Sequence, residues 1–214
     1  ALSQVANHPV RVFCSGRTDS GVHAIEQVIH FESETIRTDR AWLFGGNVNL
    51  PSDVNFKWVK VVSDDFHARF SAFARSYKYK IHHDPVRSSL KADYFLWEPR
   101  PLNIDDMKKA ASSLVGEHDF SCFRGSLCQA KSPIKTIEYI EIESSRDELI
   151  INIKANAFLH HMVRNIVGTL LKIGRGEKDV DWMDSVLDSK DRKKAGPTAE
   201  PQGLYFIKAF YKEI

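Results

Sequence analysis

The sequence predicts an α+β fold in which helices pack on antiparallel sheets. Short segments of alternating apolar and polar residues, typical of strands, recur along the 214 residues, with segments of helical spacing between them. Two of the alternating segments, 134–143 and 148–155, are separated by a turn at Asp147 and Glu148, which predicts an antiparallel hairpin. A division near residue 70 separates a smaller first part from a larger second part.

The first part of the chain predicts two helices and three strands. Alternation predicts the strands, and an N-capping side chain followed by a pair of glycines predicts the limits of one helix. In chain order these elements are a helical segment at 1–6, strands at 10–14 and 27–32, a helix at 40–44 capped by Asp39 and ended by Gly45 and Gly46, and a strand at 55–62.

The second part predicts four strands and three helices by the same criteria. Asn103 is a good N-cap and Gly116 a good C-cap for the first of these helices. In chain order the elements are a strand at 75–82, a helix at 104–115, the hairpin strands at 134–143 and 148–155, helices at 158–173 and 180–187, and a final strand at 204–210.

Composition excludes several classes of protein. Hydrophobic residues make up 43% and charged residues 27%, values that disfavour disorder. A balance of 30 basic against 28 acidic residues excludes a histone-like polycation but leaves room for a local basic surface. The three cysteines lack CxxC spacing, and the sequence has neither a P-loop nor a G-x-G-x-x-G motif. A disulfide scaffold, a structural zinc site, ATP and a dinucleotide are therefore disfavoured.

The densest group of chemically active residues is the segment 16–24, which follows a predicted strand. Asp19 lies between two glycines there, where a loop could present its carboxylate to a ligand. Arg17 adds a positive charge that could keep the carboxylate ionised. The alternative is a tight turn in which Asp19 caps backbone N–H groups, and turn composition alone favours it.

Two other segments combine aromatic, basic and imidazole side chains. On the strand at 75–82, Tyr77 would share a face with Arg75, an arrangement suited to base stacking and phosphate contact, although core tyrosines are the commoner case. On the helix at 158–173, Arg164 lies among apolar residues and requires an anionic partner. His160 and His161 precede it, and a role in packing or in supporting a neighbouring functional group is favoured over metal binding.

Basic residues are grouped along the chain although the net charge is only +2. A positive face on a nearly neutral protein suits an RNA ligand, and the alternative is an ordinary mixed surface. The grouped residues are Arg69, Arg75, Lys78, Lys80, Arg124, Lys131, Lys135, Arg164, Lys172 and Arg175.

Four segments together resemble the bacterial TruA family of tRNA pseudouridine synthases, in the family's order and over nearly the whole chain. They are GRTDSGVHA (16–24), FHARFSAFARSYKYKI (66–81), FLHHMVRNIVGTLLKIGRG (158–176) and AGPTAEPQGLYF (195–206). The resemblance implies isomerisation of uridine to pseudouridine at positions 38, 39 and 40 of the tRNA anticodon stem-loop, without cofactor or metal. It also implies a cytoplasmic homodimer that binds tRNA and neither DNA nor membrane.

The resemblance assigns roles to five residues. It places the nucleophile at Asp19, a tyrosine of the substrate pocket at Tyr77, a buried arginine at Arg164, a pocket leucine at Leu204 and an arginine beside the nucleophile at Arg17. Asp19 could attack C1′ of the sugar or C6 of the base, or act as a base on the sugar, and the sequence leaves these routes open. The carboxylate must be ionised, and Arg164 is the first candidate for its cationic partner and Arg17 the second.

The implied architecture is two ferredoxin-like, RRM-like subdomains whose antiparallel sheets meet at a central catalytic cleft. The expected division is 1–70, carrying the Asp19 loop, and 71–214. The resemblance further implies that the chain lacks the family's first strand and most of its first helix, so that the 214 residues alone are expected to be unstable or inactive.

Two other functions are compatible with parts of the sequence. A non-catalytic RNA-binding module would use the aromatic and basic strand at 75–82, but has no need of Asp19 in its loop. A metal hydrolase would use His160, His161 and Asp19, although the chain lacks HExxH-type spacing.

Overall fold

A computed structural model describes residues 1–212, which form a mixed α+β structure with five α-helices and nine strands. The helices are α1 Leu2–Ala6, α2 Asp39–Val48, α3 Ile104–Ser112, α4 Met162–Gly174 and α5 Trp182–Ser189. The strands are β1 Val12–Cys14, β2 His23–Ala24, β3 Ile29–Phe31, β4 Ala74–His83, β5 Leu96–Glu98, β6 Gly116–Asp119, β7 Ile134–Ser144, β8 Glu148–Ala155 and β9 Leu204–Phe210. The predicted α+β class is confirmed at this level.

The described chain divides into two compact units. The first contains residues 1–16, 28–72 and 211–212, and the second contains residues 17–27 and 73–210. The sequence placed the Asp19 loop in its first subdomain, whereas the structure groups it with the second unit because β2 pairs with β9. The end of the predicted second subdomain, residues 213–214, lies outside the described residues.

The first unit contains a two-stranded antiparallel sheet, β1 and β3, and a small core around Trp42. Helix α2 begins at a different cap from the predicted one, because Thr38 rather than Asp39 accepts the hydrogen bond from the Ala41 N–H. The predicted stop at the glycine pair is also wrong, since α2 continues to Val48. Gly46 is retained inside the helix because a side chain there would collide with the ring of Phe56.

The predicted strand at 55–62 is not formed in the structure. The backbone of Phe56 instead pairs with the side-chain amide of Asn47, which accepts from the Phe56 N–H at 2.6 Å and donates to its carbonyl at 3.0 Å. The Asn47 side chain, from the preceding helix, thus makes the backbone hydrogen bonds at Phe56 that a neighbouring strand would make. Alternation alone could not distinguish this extended segment from a paired strand.

The second unit is built on a seven-stranded mixed sheet with the order β2-β9-β4-β8-β7-β6, and β5 pairs with the far end of β4. The predicted hairpin of β7 and β8 is antiparallel, as are the pairs of β4 with β8 and β9. Two pairs that the sequence did not predict, β2 with β9 and β4 with β5, are parallel. The long central strand β4 therefore has partners on both sides along its length.

The main core of the second unit combines the sheet with α3, α4 and α5. Met107 from α3, Leu170 from α4 and Met183 from α5 are fully buried with Tyr79 and Ile151 of the sheet. Burial of this kind is the largest favourable contribution to folding. No helix within residues 1–212 is both long and apolar enough to cross a membrane.

Gly168 in the middle of α4 lets the loop at 195–199 reach the helix backbone. A β-carbon at position 168 would lie 1.7 Å from the carbonyl oxygen of Pro197. We therefore expect Gly168→Ala to lower the free energy of unfolding by about 3 kcal/mol, at the upper end of overpacking effects. Urea denaturation would measure the change.

Gly176→Ala is the matched control, because that glycine has a positive φ of 69° but open space where a β-carbon would lie. It should cost only the backbone strain, about 1–2 kcal/mol. A Gly168→Ala variant that unfolds at the wild-type urea concentration would contradict the close approach of loop and helix.

Candidate active site

The Asp19 loop is tied to the sheet of the second unit by β2. His23 in β2 lies opposite Tyr205 of β9, and its ring stacks between those of Tyr205 and Tyr94, with centroids 4.6 and 5.4 Å away. Its Nε2 forms a hydrogen bond with the carbonyl of Asp93 at 2.9 Å. These contacts fix the loop that carries Asp19 on a rigid scaffold.

The carboxylate of Asp19 contacts three side chains from one short segment of the chain. Nη1 of Arg164 lies 3.1 Å and Nε2 of His161 lies 3.0 Å from Oδ2, while Nε2 of His160 lies 3.4 Å from Oδ1. Arg164 is mostly buried and also donates from Nε to the carbonyl of Ala199 at 2.7 Å. Asp19 keeps 35% of its side chain exposed, so the carboxylate is held in place and still open to a ligand.

The two histidines face the same carboxylate because α4 starts later than the sequence predicts. The predicted helix spans 158–173, but α4 begins at Met162, and His161 has a left-handed backbone with φ of 61°. Adjacent residues on a regular helix point about 100° apart. The break at His161 lets both rings stack with centroids 3.8 Å apart and reach Asp19 together.

A buried polar network connects α4 to the loop at 195–199. Asn165 is fully buried, and its Oδ1 accepts hydrogen bonds from Thr198 at 2.7 Å and from Arg192 at 3.0 Å. The network holds the loop whose Ala199 carbonyl accepts from Arg164. Sequence analysis missed Arg192 and Thr198, although an asparagine among apolar helix positions signals a need for buried partners.

Tyr77 lies on β4 with its ring edge-on to two aromatic rings. The centroids of Phe158 and Phe206 are 4.9 and 5.3 Å away. Burial raises the pKa of Tyr77 to about 12, and the negative charge of Asp19 adds to the shift while Arg75 opposes it. The phenol is therefore protonated at neutral pH, and its hydroxyl has no hydrogen-bond partner within residues 1–212.

Of the other residues singled out by sequence, Leu204 lies in the core and Arg17 at the surface. Leu204 is buried at the start of β9, opposite Tyr79 of β4. Arg17 is exposed and forms neither an ion pair nor a side-chain hydrogen bond with any of residues 1–212. The arginine that contacts Asp19 is thus Arg164, which is 145 residues away in the sequence.

Some of the grouped basic residues are used within the protein. Arg175 pairs with Glu98, a carboxylate that is almost completely buried, and Arg124 donates to the carbonyls of Cys128 and Ala130. Lys80 lies over the ring of Tyr205 at 4.3 Å. These side chains support the fold, so the number of basic residues overstates the charge available to an anionic ligand.

Comparison of the sequence with known proteins places this chain in one family. The family model described as tRNA pseudouridine synthase matches residues 110–212. Curated relatives called tRNA pseudouridine synthase A are 49% identical in Hydrogenovibrio crunogenus, 48% in Actinobacillus succinogenes and 50% in Shewanella sediminis. These matches cover 100% of this chain and 81–82% of each relative. The chain belongs to the tRNA pseudouridine synthases.

The resemblance inferred from the four motifs is therefore confirmed at the level of the family. The family-model match contains the third and fourth motifs, and with them Arg164 and Ala199. The Asp19 loop lies outside that match but inside the full-length matches to the three tRNA pseudouridine synthase A relatives.

The site of this tRNA pseudouridine synthase also contains a set of atoms that could hold a metal ion. One carboxylate oxygen of Asp19 and one nitrogen each of His160 and His161 lie within 4.8 Å of one another. The sequence grouped these three residues only in the alternative of a metal hydrolase, for which the chain lacks HExxH-type spacing. These three residues could bind a metal ion together, or the two histidines could hold the Asp19 carboxylate by hydrogen bonds.

Proposed function

We propose that this isomerase converts uridine to pseudouridine at positions 38, 39 and 40 of the tRNA anticodon stem-loop, with Asp19 as its nucleophile. Membership of the tRNA pseudouridine synthase family makes tRNA the substrate. The observation that carries the proposal is the Asp19 carboxylate, which remains partly exposed while the mostly buried Arg164 holds one of its oxygens. A carboxylate fixed beside a cation is suited to covalent catalysis.

The reaction breaks the N1–C1′ bond, turns the uracil and forms a C5–C1′ bond, after which the proton on C5 leaves and N1 takes up a proton, so that the product is an isomer of the substrate. It involves no net redox change or hydrolysis, so the chemistry calls for neither a redox cofactor nor ATP. Asp19 serves as nucleophile at C1′ or at C6, or as a base on the sugar. In each route the carboxylate begins ionised, and Arg164 favours that state.

Tyr77 is suited to hold the uracil once it has left the helical stack. Base extrusion costs a few kcal/mol and is compensated by stacking and polar contacts in the pocket. The ring of Tyr77 supplies an aromatic surface near Asp19, and Leu204 adds an apolar contact in the proposed pocket. The surface arginine Arg17 is proposed to occupy the gap that the base leaves.

Release of tritium from uridine labelled at C5 tests the function directly. With a chain that spans the full length of the tRNA pseudouridine synthase A relatives, a tRNA transcript with uridine at position 38, 39 or 40 should release tritium, and cytidine at all three positions should abolish release. Release by the 214 residues alone would refute the expectation that they are inactive. Binding of tRNA without release would instead identify a non-catalytic RNA-binding module. Release from uridines elsewhere in the tRNA would refute the anticodon assignment.

The larger architecture is proposed from the family resemblance. We expect two ferredoxin-like subdomains, a cytoplasmic location and a homodimer in which one tRNA touches both subunits. Size-exclusion chromatography with light scattering would test the oligomeric state, since a dimer has twice the 24.4 kDa of one chain. An active monomer at the enzyme concentration of the assay would reject the dimer.

Tyr77→Phe separates the role of the ring from that of the hydroxyl. The edge-on contacts to Phe158 and Phe206 are kept, and the lost hydroxyl has no partner within residues 1–212, so the melting temperature should change little. If the hydroxyl transfers a proton or contacts the uracil, kcat should fall about 100-fold. Tyr77→Leu, which also removes the ring, should raise KM as well. Wild-type kcat in Tyr77→Phe would limit the role of Tyr77 to stacking.

A further inference from the structure

The ring positions of the tandem histidines, His160 and His161, depend on a left-handed backbone conformation at His161. His161 is one of three non-glycine residues with positive φ within residues 1–212, and the other two, Asn7 and Lys190, end helices. His161 instead precedes a helix and makes no capping hydrogen bond with its side chain. Left-handed backbone is uncommon for any residue but glycine, although histidine adopts it more often than most, and such conformations are concentrated at functional sites.

Gly125 packs against the rings of both His160 and His161. A β-carbon on Gly125 would lie 2.7 Å from Nδ1 of His160 and 3.2 Å from Nδ1 of His161. The Gly125 N–H also donates to the carbonyl of His160 at 2.8 Å. The rings therefore lie between this backbone and Asp19, with both Nε2 atoms directed at the carboxylate.

The ring nitrogens of the two histidines differ in their surroundings. Nδ1 of His160 is buried and has no hydrogen-bond partner within residues 1–212, whereas its Nε2 lies 3.4 Å from Oδ1 of Asp19. Nε2 of His161 lies 3.0 Å from Oδ2 of Asp19, within donor distance of the carboxylate. Burial lowers the pKa of His161, and His160 and Arg164 add to the shift while Asp19 opposes it.

The same atoms could instead coordinate a divalent metal, but two observations favour hydrogen bonding. A metal-bound histidine normally donates its other ring N–H to a partner, and Nδ1 of His160 has none within the described chain. The guanidinium of Arg164 also lies 3.1 Å from Oδ2 of Asp19, and its positive charge would repel a cation bound at this carboxylate.

We infer that His160 and His161 are positioning residues whose Nε2 atoms hold the two oxygens of Asp19 in place. Together with Arg164 they fix the direction in which the carboxylate meets the substrate. This inference rests on the proposed role of Asp19 as nucleophile. Preorganised donors of this kind act on the chemical step and leave the distant tRNA contacts unchanged.

Two substitutions of His161 test the inference with little disturbance of the fold. Asparagine tolerates left-handed backbone but is too short to place its N–H at the position of Nε2, whereas glutamine can place an amide N–H there. We expect His161→Asn to lower kcat about 10- to 100-fold with KM within about threefold of wild type. His161→Gln should recover most of the lost kcat. His160→Asn should have a smaller effect, because its contact with Asp19 is longer.

His118→Asn is the matched control, because His118 is a half-buried histidine whose ring forms a hydrogen bond with the Val115 carbonyl. It should keep wild-type kcat, and melting curves for all variants would exclude misfolding as the cause of any loss. Wild-type kcat in His161→Asn would overturn the inference. Loss of kcat in both His161 variants, or loss of wild-type activity on treatment with EDTA, would also overturn it, the latter in favour of a metal site.

The experiment separates this inference from the proposed function through Asp19. If Asp19→Asn is inactive while His161→Asn is fully active, only the positioning role fails. If Asp19→Asn is itself active, the assignment of the nucleophile fails.

Discussion

Asp19→Asn is expected to lower the rate of pseudouridine formation by at least about 10⁴-fold, a loss typical of removing a nucleophile. The amide has the shape of the carboxylate, but it is neutral and cannot attack carbon. Arg164 and His161, which both lie beside Oδ2, can keep an oxygen to which they donate, while the amide NH2 takes the place of the oxygen that faces His160. Affinity for tRNA should survive, because phosphate contacts provide most of the binding energy.

Tritium release under single-turnover conditions measures the rate, and filter binding measures the affinity. Asp184→Asn on the exposed side of α5 is the matched control and should behave as wild type. A rate near that of wild type in the Asp19→Asn variant would remove Asp19 from the chemistry. Loss of both rate and affinity would mean that the carboxylate supports the loop rather than the reaction.

Arg164→Ala is expected to reduce both activity and stability. It removes the donors to Asp19 and to the Ala199 carbonyl, two hydrogen bonds of a mostly buried guanidinium. We expect kcat to fall at least about 100-fold, as when a charge-stabilising donor is removed. The free energy of unfolding should fall by about 2–3 kcal/mol, less than for a fully buried pair because Asp19 is partly exposed.

Arg164→Lys is the informative companion to the alanine variant. It keeps the positive charge, but one ammonium group cannot replace Nε and Nη1 at two separate acceptors. Part of the activity should return while the stability stays below wild type. Urea denaturation and single-turnover rates give both quantities, and normal kinetics in Arg164→Ala would eliminate the ion pair from the mechanism.

Sequence patterns predicted the elements whose signals are local. Helix α3 follows the Asn103 cap, and the hairpin of β7 and β8 follows strict alternation around a turn. Elements defined by distant partners were missed, above all the two-residue strand β2, which exists only because β9 lies beside it. The strand predicted at 55–62 is absent although its local pattern of alternation is strong. The backbone of Phe56 forms hydrogen bonds with the side chain of Asn47 instead of with a neighbouring strand.

In the candidate site too, features with a local sequence signal were predicted and features that depend on three-dimensional contacts were not. Asp19 and Arg164 could be predicted as site residues from the sequence. A loop can present a carboxylate to a ligand, and an arginine among apolar residues requires an anionic partner. The joint contact of the tandem histidines with Asp19 was not recognisable. It depends on the left-handed backbone of His161, and a helical reading of the segment directs the two rings differently. Arg17, beside Asp19 in sequence, forms no ion pair with it in the structure.

The parallel pairing of β2 with β9 also bears on how the protein is made. A ribosome synthesises His23 long before its partner Tyr205. At the usual pace of translation, the loop that carries Asp19 waits on the order of ten seconds or more for the strand that anchors it. Nascent chains therefore carry Asp19 well before the strand pairing that fixes its loop can form.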